Sequence, residues 1–441
     1  MSSRRFVWLA GLVLVVALAV PAIAEANEVT KWNQIATNTL VAFPGPGGGA
    51  PPALQINMGM TQGAVYAAVN AIERRHRPIV LMKKFNSKAS KEAAVATAAF
   101  RVLSSLVLDE RAGIPSATKA ALLQTLETEK ANSLAAIANG PSKTEGIAAG
   151  NAAADAMLAD RAHDGRFGPS PWRPNSDPGH WQPLLDPLTL LPLLDPTPWA
   201  ANVRPFLIKS PSQFRTEGPQ DLTSQAWADE FNEVTRLGRA TGSDRTEVQT
   251  QIALFWQSAG GPALLWNPVA RQLADNPAYG VDIADSALLF GMLNMSAADA
   301  AINCWNDKYY WDFWRPWNAI PRGDEDDNPA TEPDASWTAL LTAPYPEHPS
   351  GHLCLDGAYL SGLQMFFRTN NAEFDVRSSR APMLPLLPNP RHFSHFTDPL
   401  NEINEARIWA GLHYRTADVQ GAKLGQEVAH YARLHYFQPL H

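Results

Sequence analysis

Apolar residues recur at steps of three and four positions along much of the chain, which is the spacing of one face of an α-helix. The spacing is clear from Trp32 to about Asp164, where alanine-rich runs at 91–100 and 147–154 offer small side chains for close helix packing. Further helices are predicted at 223–237, 245–258, 284–314, from Ser350 to Phe367, at 400–411 and at 417–436. Since no strand-like alternation is sustained, the pattern predicts an all-α fold.

The helical pattern stops between residues 166 and 220. Residues 168–219 hold twelve of the 36 prolines, and proline removes a backbone donor and fixes φ, so regular helix is not expected there. The stretch is too apolar to be a free linker, because it contains Trp172, Trp181 and Trp199. We therefore predict an extended strap packed across the helical body. The predicted parts are an N-terminal helical region (25–165), the strap (166–220) and a C-terminal helical bundle (221–441).

The first 24 residues have the features of a secretory signal peptide. Arg4 and Arg5 precede an uncharged apolar stretch, Phe6 to Val20, that is short for a membrane span, and Ala22-Ile23-Ala24 offers a small-x-small cleavage site. We expect a secreted or periplasmic protein that is cleaved near Ala24. An uncleaved membrane anchor is the alternative.

The composition is that of a globular protein, with 45% hydrophobic and 18% charged residues. Residues 1–24 carry two arginines and no acids, so their removal changes the net charge from −7 to −9. This acidic balance argues against nucleic acid and anionic membranes as partners of the mature form. A local cluster of Lys and Arg therefore needs an explanation of its own.

Two cysteines, Cys304 and Cys354, allow one disulfide in an exported chain but form neither a disulfide scaffold nor a zinc motif. Both lie beside the candidate functional residues that follow. A disulfide and a pair of buried free thiols both stay open.

The first candidate segment is 308–316 (KYYWDFWRP). Lys308 and Arg315 are seven residues apart, about two helical turns, so both cations are expected on one stripe of a helix. Pro316 biases Arg315 away from the α conformation and favours the end of the helix there. Two long cations on an aromatic-rich stripe can converge on one anion, although basic pairs usually face solvent.

The second segment is 349–352 (PSGH). Ser350 is a good N-cap for the helix that follows, and a helix N-terminus offers free N–H groups and a positive dipole end to an oxyanion. Gly351 permits a close backbone approach. His352 then stands in the first turn, where a proton donor or acceptor would be needed.

The third segment runs from Arg407 to His413 (RIWAGLH). On an unbroken helix these two side chains would point to different faces. Both reach one site only if the helix ends near Gly411, which is a plausible break. Taken alone, His413 is more often a structural hydrogen-bonding residue.

Together the segments supply three cations, one helix N-terminus and two histidines, a set that stabilises a trigonal-bipyramidal oxyanion. The equatorial oxygens would be held by Lys308, Arg315, Arg407, the Ser350 hydroxyl and the Gly351 N–H. One histidine would bond the central atom, and the other would handle the proton at the opposite apex.

The order K-x6-RP, PSGH and R-x5-H resembles the vanadium-dependent haloperoxidase branch of the type 2 phosphatidic acid phosphatase superfamily. Further similar stretches are 299–302 (DAAI), 344–348 (PYPEH), 204–206 (RPF) and 210–215 (SPSQFR). The resemblance covers most of residues 28–441, most loosely at the N-terminal end. It implies two packed helical bundles of the vanadium haloperoxidase and acid phosphatase type.

By position, the resemblance implies that His413 is the axial vanadium ligand and His352 the acid–base group at the opposite apex. The residues implied to hold vanadate oxygens are Lys308, Arg315, Ser350, Gly351 and Arg407. Lys308 would also polarise bound peroxide. The implied reaction uses hydrogen peroxide to oxidise a halide to hypohalous acid or an equivalent, which acts on a small organic substrate, while vanadium stays oxidised as a Lewis acid.

Other side chains match the family less closely or not at all. Trp305 and Tyr345 match positions where the family places aromatics near the halide. Ala406 stands where a serine usually precedes the arginine of the third motif. The family pattern expects an acid four residues after the ligand histidine. In this chain Asp418 lies five residues after His413, so the residue that orients His413 stays open.

Three more histidines have to be placed. His348 is an extra candidate proton group, with an exposed loop histidine as the alternative. His392 and His395 are assigned to structure or surface.

Two other functions stay open, and one of them uses the same pocket. An exported acid phosphatase would bind phosphate there, with His413 as the phosphorylated nucleophile and His352 protonating the leaving group, because vanadate mimics phosphate. A non-catalytic helical binding protein is the third possibility, and the presence of all seven pocket residues argues against it. The resemblance also implies that homo-oligomers are possible.

Overall fold

The structure is a computed structural model that describes residues 27–45 and 49–440 of the chain. The signal peptide predicted for residues 1–24 lies outside these residues. The described helices are α1 (Glu28–Val41), α2 (Ala53–Glu73), α3 (Lys91–Leu108), α4 (Ser116–Ala135), α5 (Pro141–Arg161), α6 (Gln225–Leu237), α7 (Glu247–Phe255), α8 (Gly261–Ala274), α9 (Ile283–Trp311), α10 (Pro316–Ala319), α11 (Gly351–Phe367), α12 (Thr397–Trp409) and α13 (Arg415–His435). The predicted all-α fold is confirmed.

Helix α9 is the central helix of the protein. It has 29 residues and begins at Asp282, whose carboxylate accepts hydrogen bonds from the N–H groups of Ala284 and Asp285. Helices α2, α11 and α13 pack around it, which is why its sequence is apolar on every side. It is long and apolar enough to cross a membrane, but its apolar stretch is entirely buried inside the protein. Its length and composition are therefore those of a core helix.

One large hydrophobic core contains side chains from both ends of the sequence. Trp32 of α1 and Leu103 of α3 belong to the same cluster as Leu293 of α9, Leu360 of α11 and Val428 of α13. A second cluster surrounds Trp227, Trp314 and Tyr414 beneath the candidate site. The N-terminal helices thus pack directly against the helices that carry the chemistry.

Two elements differ from the expectation drawn from the sequence. Strands β1 (Asn371–Val376) and β2 (Arg391–His395) form an antiparallel hairpin, with Phe374 opposite Phe393. Its strands are only six and five residues long, too short to show as sustained alternation. Helix α8 was not predicted, because Gly260-Gly261-Pro262 at its start and Pro268 within it look like loop signals.

The stretch between α5 and α6 contains only a short 3₁₀ segment, Pro198–Asn202, and runs along α9. Buried side chains of α9 satisfy its backbone. Both carboxylate oxygens of Asp299 accept from three consecutive N–H groups, those of Phe206, Leu207 and Ile208, at 2.6–2.9 Å. Asp307 accepts from the Thr216 N–H at 2.8 Å in the same way. An extended chain without a partner strand has to find such acceptors when it is buried.

Substitution of Asp299 by Asn tests this anchor. An amide has one oxygen where the carboxylate has two, and its NH₂ group would face a backbone N–H. We expect the free energy of unfolding to fall by about 2–4 kcal/mol in a denaturant titration. Asp177→Asn, at an exposed position of the same stretch, is the control and should change it by less than about 0.5 kcal/mol. Equal stability of the two variants would contradict the proposed anchor.

Candidate active site

The C-terminal end of α9 brings Lys308 and Arg315 together by a turn. The helix ends at Trp311, and Asp312 follows in the left-handed region at φ 46°. Arg315 is extended, with φ −82° and ψ 161°, and precedes Pro316 at the start of α10. The expectation that both cations lie on one helical stripe is therefore wrong, whereas the effect of Pro316 on Arg315 is as predicted.

The ammonium group of Lys308 is buried against the segment that precedes α11. Its Nζ donates to the carbonyl oxygens of Pro346 (3.1 Å), Glu347 (3.0 Å) and Pro349 (2.5 Å). Burial, together with a smaller effect of Arg315, lowers the pKa of Lys308 to about 8. Three carbonyl dipoles thus hold a cation that remains largely charged at neutral pH.

Arg315 connects two of the three motif segments. Its Nε donates to the Tyr345 carbonyl (3.0 Å), and its Nη1 donates to the Leu412 carbonyl (2.7 Å) and lies 3.2 Å from Nε2 of His413. Burial lowers the pKa of Arg315 to about 10, so it stays charged. The planar guanidinium therefore fixes the loop before α11 against the loop before α13.

The PSGH segment opens α11 as predicted, with Ser350 at the N-cap position. The Ser350 side chain, however, does not cap the helix. It lies near the carboxyl group of Asp418, whose pKa burial raises well above its usual value while the proximity of Ser350 lowers it. Gly351 is required by space, because a Cβ there would lie 3.2 Å from the Trp305 ring and 3.7 Å from Cε of Lys308.

His352 is oriented from behind. The ring lies near the backbone of Trp256, which raises its pKa slightly, and its Nε2 is buried without a partner among the described residues. Burial, followed by Arg407, lowers the pKa of His352 well below 6.5. The free ring is therefore neutral, and its Nε2 is available for a proton.

Gly411 ends α12 as the sequence predicted. The helix stops at Trp409, and Gly411 takes φ 71°, a conformation that suits glycine. A Cβ there would lie 2.5 Å from the carbonyl oxygen of Gly238. His413 follows in the short turn before α13 and is 3% exposed. The break turns His413 back toward Arg315.

Glu347 holds His413 in one tautomer. Its Oε1 lies 2.8 Å from Nδ1 of His413 and also accepts from the Tyr414 N–H at 3.1 Å. Arginine has only donors, so Nε2 of His413 must accept from Arg315, and a neutral ring then carries its proton on Nδ1. Burial and the cations Arg315, Lys308 and Arg407 lower the pKa of His413 well below 6.5. His413 is thus neutral, with the lone pair of Nε2 facing the cations.

Arg407 completes the cluster from α12. Its Nη1 donates to Oε1 of Gln257 at 3.0 Å, while its Nε is buried without a partner among the described residues. Burial lowers its pKa, and the carboxyl groups of Asp418 and Asp356 oppose that shift. Arg407 also lowers the pKa of His352 and of His413. The three segments therefore meet in one buried, cationic site.

The site opens to solvent through a cleft of about 520 Å³. Tyr345 and His352 line it, as do Arg380 and the exposed Met383. Pro51 lines the cleft as well, so a residue before α2 contributes to access. The Tyr345 ring packs 5.2 Å from the Trp305 ring, and Lys308 Nζ lies 5.3 Å from the Tyr345 centroid. An apolar aromatic wall thus borders the cations.

Several candidates lie elsewhere. His348 is fully buried, so the exposed-loop interpretation is wrong, and it bonds Thr216 at 3.1 Å. His392 and His395 lie on exposed β2 beside acidic side chains, as assigned. Cys304 and Cys354 are free and buried, so the thiol interpretation holds.

The chain is similar to known proteins in sequence and in fold. Residues 288–440 match the family described as the VCPO second helical-bundle domain. Vanadium chloroperoxidase of Curvularia inaequalis is 24% identical, and the match covers 48% of this chain and 45% of that protein. Residues 288–440 are thus similar to the second helical-bundle domain of this family, and about half of the chain is similar to a vanadium chloroperoxidase. The chain spans less than half the length of that curated relative.

Solved structures of the family share the fold over nearly the whole chain. The first bacterial vanadium-dependent iodoperoxidase superposes with a TM-score of 0.72 at 23% identity, covering 94% of this chain and 97% of that one. A holo-type bacterial vanadium-dependent chloroperoxidase gives 0.71 at 16% identity, covering 93% and 97%. At these identities the likeness concerns the fold alone.

Sequence reasoning did not find the roles of three residues of the site. Glu347 stands in the PYPEH stretch that carries part of the family resemblance, yet its contact with His413 joins residues 66 positions apart. Asp418 was considered for orienting His413, but it lies against Ser350 and Arg407 instead. No sequence feature indicated Gln257 as the partner of Arg407. Only the one-residue displacement of Asp418 from its expected position could have prompted a search for another acid.

The tautomer of His413 can be tested by ¹⁵N NMR of histidine-labelled protein, with the signal assigned by comparison with His413→Gln. We expect a neutral ring protonated on Nδ1 from pH 8 down to pH 6, because its depressed pKa lies below that window. Glu347→Gln retains an acceptor oxygen and should preserve this state, whereas Glu347→Leu should lose it. A ring protonated on Nε2, or an imidazolium at pH 7, would contradict the assignment.

Proposed function

We propose that this chain is an exported, vanadate-dependent haloperoxidase that oxidises a halide with hydrogen peroxide. One observation carries the proposal. A neutral His413, fixed by Glu347, presents the Nε2 lone pair to a buried cluster of three cations. A lone pair that faces positive charge suits the bonding of an electrophilic centre whose oxygens are anionic. The match of residues 288–440 to the VCPO second helical-bundle domain supports it.

The residues present fit vanadate. Among the described residues, the buried polar atoms of the site without partners include Ser350 Oγ, His352 Nε2 and Arg407 Nε, as well as carboxyl oxygens of Glu347 and Asp418. Lys308, Arg315 and Arg407 add positive charge, and Gly351 gives backbone access at the start of α11. These residues would hold the oxygens, with His413 as the ligand. When bound, vanadate would supply a Lewis acid that activates hydrogen peroxide.

The chain's own groups then divide the remaining tasks. His352, neutral and with Nε2 unpartnered among the described residues, accepts a proton at Nε2 and returns it. Lys308 keeps most of its charge near pH 7 and polarises an oxygen beside it. Trp305 and Tyr345 form the apolar wall against which a large, weakly hydrated halide is placed. The cleft past Arg380 admits peroxide, halide and a small organic substrate.

A phosphatase remains the second candidate, and the same hydrogen bond favours it. A carboxyl group that fixes a neutral histidine with its Nε2 lone pair toward the cations also prepares that nitrogen to attack phosphorus. Phosphate would be held by the same cations, and His352 would protonate the leaving group.

The names of the relatives refer to chloride and iodide, so they do not fix the halide that this chain would oxidise.

Parallel assays of bromination and of phosphate-ester hydrolysis distinguish the haloperoxidase from the phosphatase. Purified mature protein loaded with orthovanadate should brominate a dye when peroxide and bromide are added, and vanadium-free protein should hydrolyse phosphate esters poorly. His413→Ala should retain no vanadium after dialysis, because the ligand is missing. His392→Ala is the matched control, since His392 is exposed on β2, and it should retain vanadium and activity.

Two outcomes would overturn parts of this proposal. Phosphate-ester hydrolysis by a wild type that does not brominate would replace the haloperoxidase with the phosphatase. Vanadium bound to His413→Ala at the wild-type ratio would show that His413 is not the ligand.

A further inference from the structure

A second cleft lies at the opposite end of α9 from the candidate active site. Leu288 lines it, twenty positions before Lys308, which places the two sites about 30 Å apart along the helix. Its volume is about 360 Å³, within the range of small-molecule sites. It lies among the N-terminal part of α9 and the C-terminal ends of α11 and α13. Nothing in the proposed chemistry uses it.

Two guanidinium groups meet at this cleft. Arg368 directly follows α11, and Arg433 lies in the last turn of α13. Arg368 lowers the pKa of Arg433, in addition to the larger effect of burial, and Arg433 has no carboxylate among the groups that shift its pKa. Within the described residues neither arginine forms an ion pair with an acid. Two close like charges are unfavourable unless an anion joins them.

The remaining charges of the cleft nearly cancel. Asp285 lines it but is bonded to Arg75 at 3.2 Å. His76 is half-buried, and burial, Arg433 and Arg75 lower its pKa, so it is neutral at pH 7. Because Asp285 is already paired with Arg75, the positive charges of Arg368 and Arg433 are left uncompensated in the cleft. This excess of positive charge suits a negatively charged ligand.

The floor and walls of the cleft are apolar. The rings of Tyr279 and Phe367 lie 4.9 Å apart, and Phe366 packs edge-on to Phe367 at 5.0 Å. Leu288 and Met292 are the other apolar residues from α9, at 9% and 1% exposure. Aromatic and thioether side chains adapt to a flexible hydrocarbon chain or to a ring. The cleft thus joins a cationic rim to an apolar floor.

We propose that this cleft binds a small amphiphilic carboxylate, such as a medium-chain fatty acid. The carboxylate lies between the guanidinium groups of Arg368 and Arg433, whose planar forks match its two oxygens. The hydrocarbon tail lies along Leu288, Met292 and the aromatic rings. This site is independent of the oxyanion site and of the proposed function.

Calorimetric titration of the full mature chain with decanoate tests the proposal. We expect saturable binding, weakened at least about tenfold by the double substitution Arg368→Gln/Arg433→Gln, because the charge-assisted contacts are lost. Decanol, which has the same tail and no charge, should bind at least tenfold more weakly than decanoate. The matched control is Arg173→Gln/Arg236→Gln, the same charge change at two exposed positions outside the cleft, and it should bind like wild type.

Arg433 also donates to the Phe437 carbonyl, so its substitution can impair folding. A second variant that leaves both arginines in place therefore tests the same cleft. Leu288→Trp fills the cleft and leaves both arginines in place, so it should also weaken decanoate binding at least tenfold. No saturable binding to wild type would overturn the proposal. So would equal affinity for decanol, or unchanged binding in Arg368→Gln/Arg433→Gln and Leu288→Trp that fold normally by circular dichroism.

Discussion

Lys308, Arg315 and Arg407 are buried together near the C-terminal end of α9, and the surrounding structure holds them. Lys308 and Arg315 donate to the carbonyl oxygens of residues 345–347, 349 and 412. Glu347 and Asp418 lie near enough to oppose the effect of burial on the pKa of Arg315. Carbonyl dipoles compensate only part of three positive charges in an interior. The site is therefore left with a field that favours an anion.

The same contacts determine what His413 can do. Because Arg315 is tied to the loop before α11 and also touches Nε2 of His413, the imidazole has one available tautomer and one position. Glu347 secures the opposite nitrogen. A preorganised lone pair beside fixed positive charge needs little rearrangement when an oxyanion binds. This property is common to both candidate functions, and so the choice between them depends on which oxyanion the pocket retains.

The three short segments were predictable from the sequence because each works through local rules. Pro316 keeps Arg315 out of the helical conformation, Ser350 starts a helix, and Gly411 permits a left-handed break. The residues that couple the segments were not predictable. Glu347 reaches His413 across 66 positions, and the turn at Asp312 replaced the expected helical stripe. Helix α8 was hidden by its own glycines and prolines, since tertiary packing overrides local propensity there.

The most direct test of a single oxyanion pocket is a crystal of the mature chain grown with orthovanadate and measured at the vanadium absorption edge. We expect one anomalous peak, within bonding distance of Nε2 of His413, with its oxygens in contact with Arg407, Ser350 and Gly351. A peak bonded to another side chain, or a pocket without anomalous density in crystals saturated with vanadate, would contradict the account.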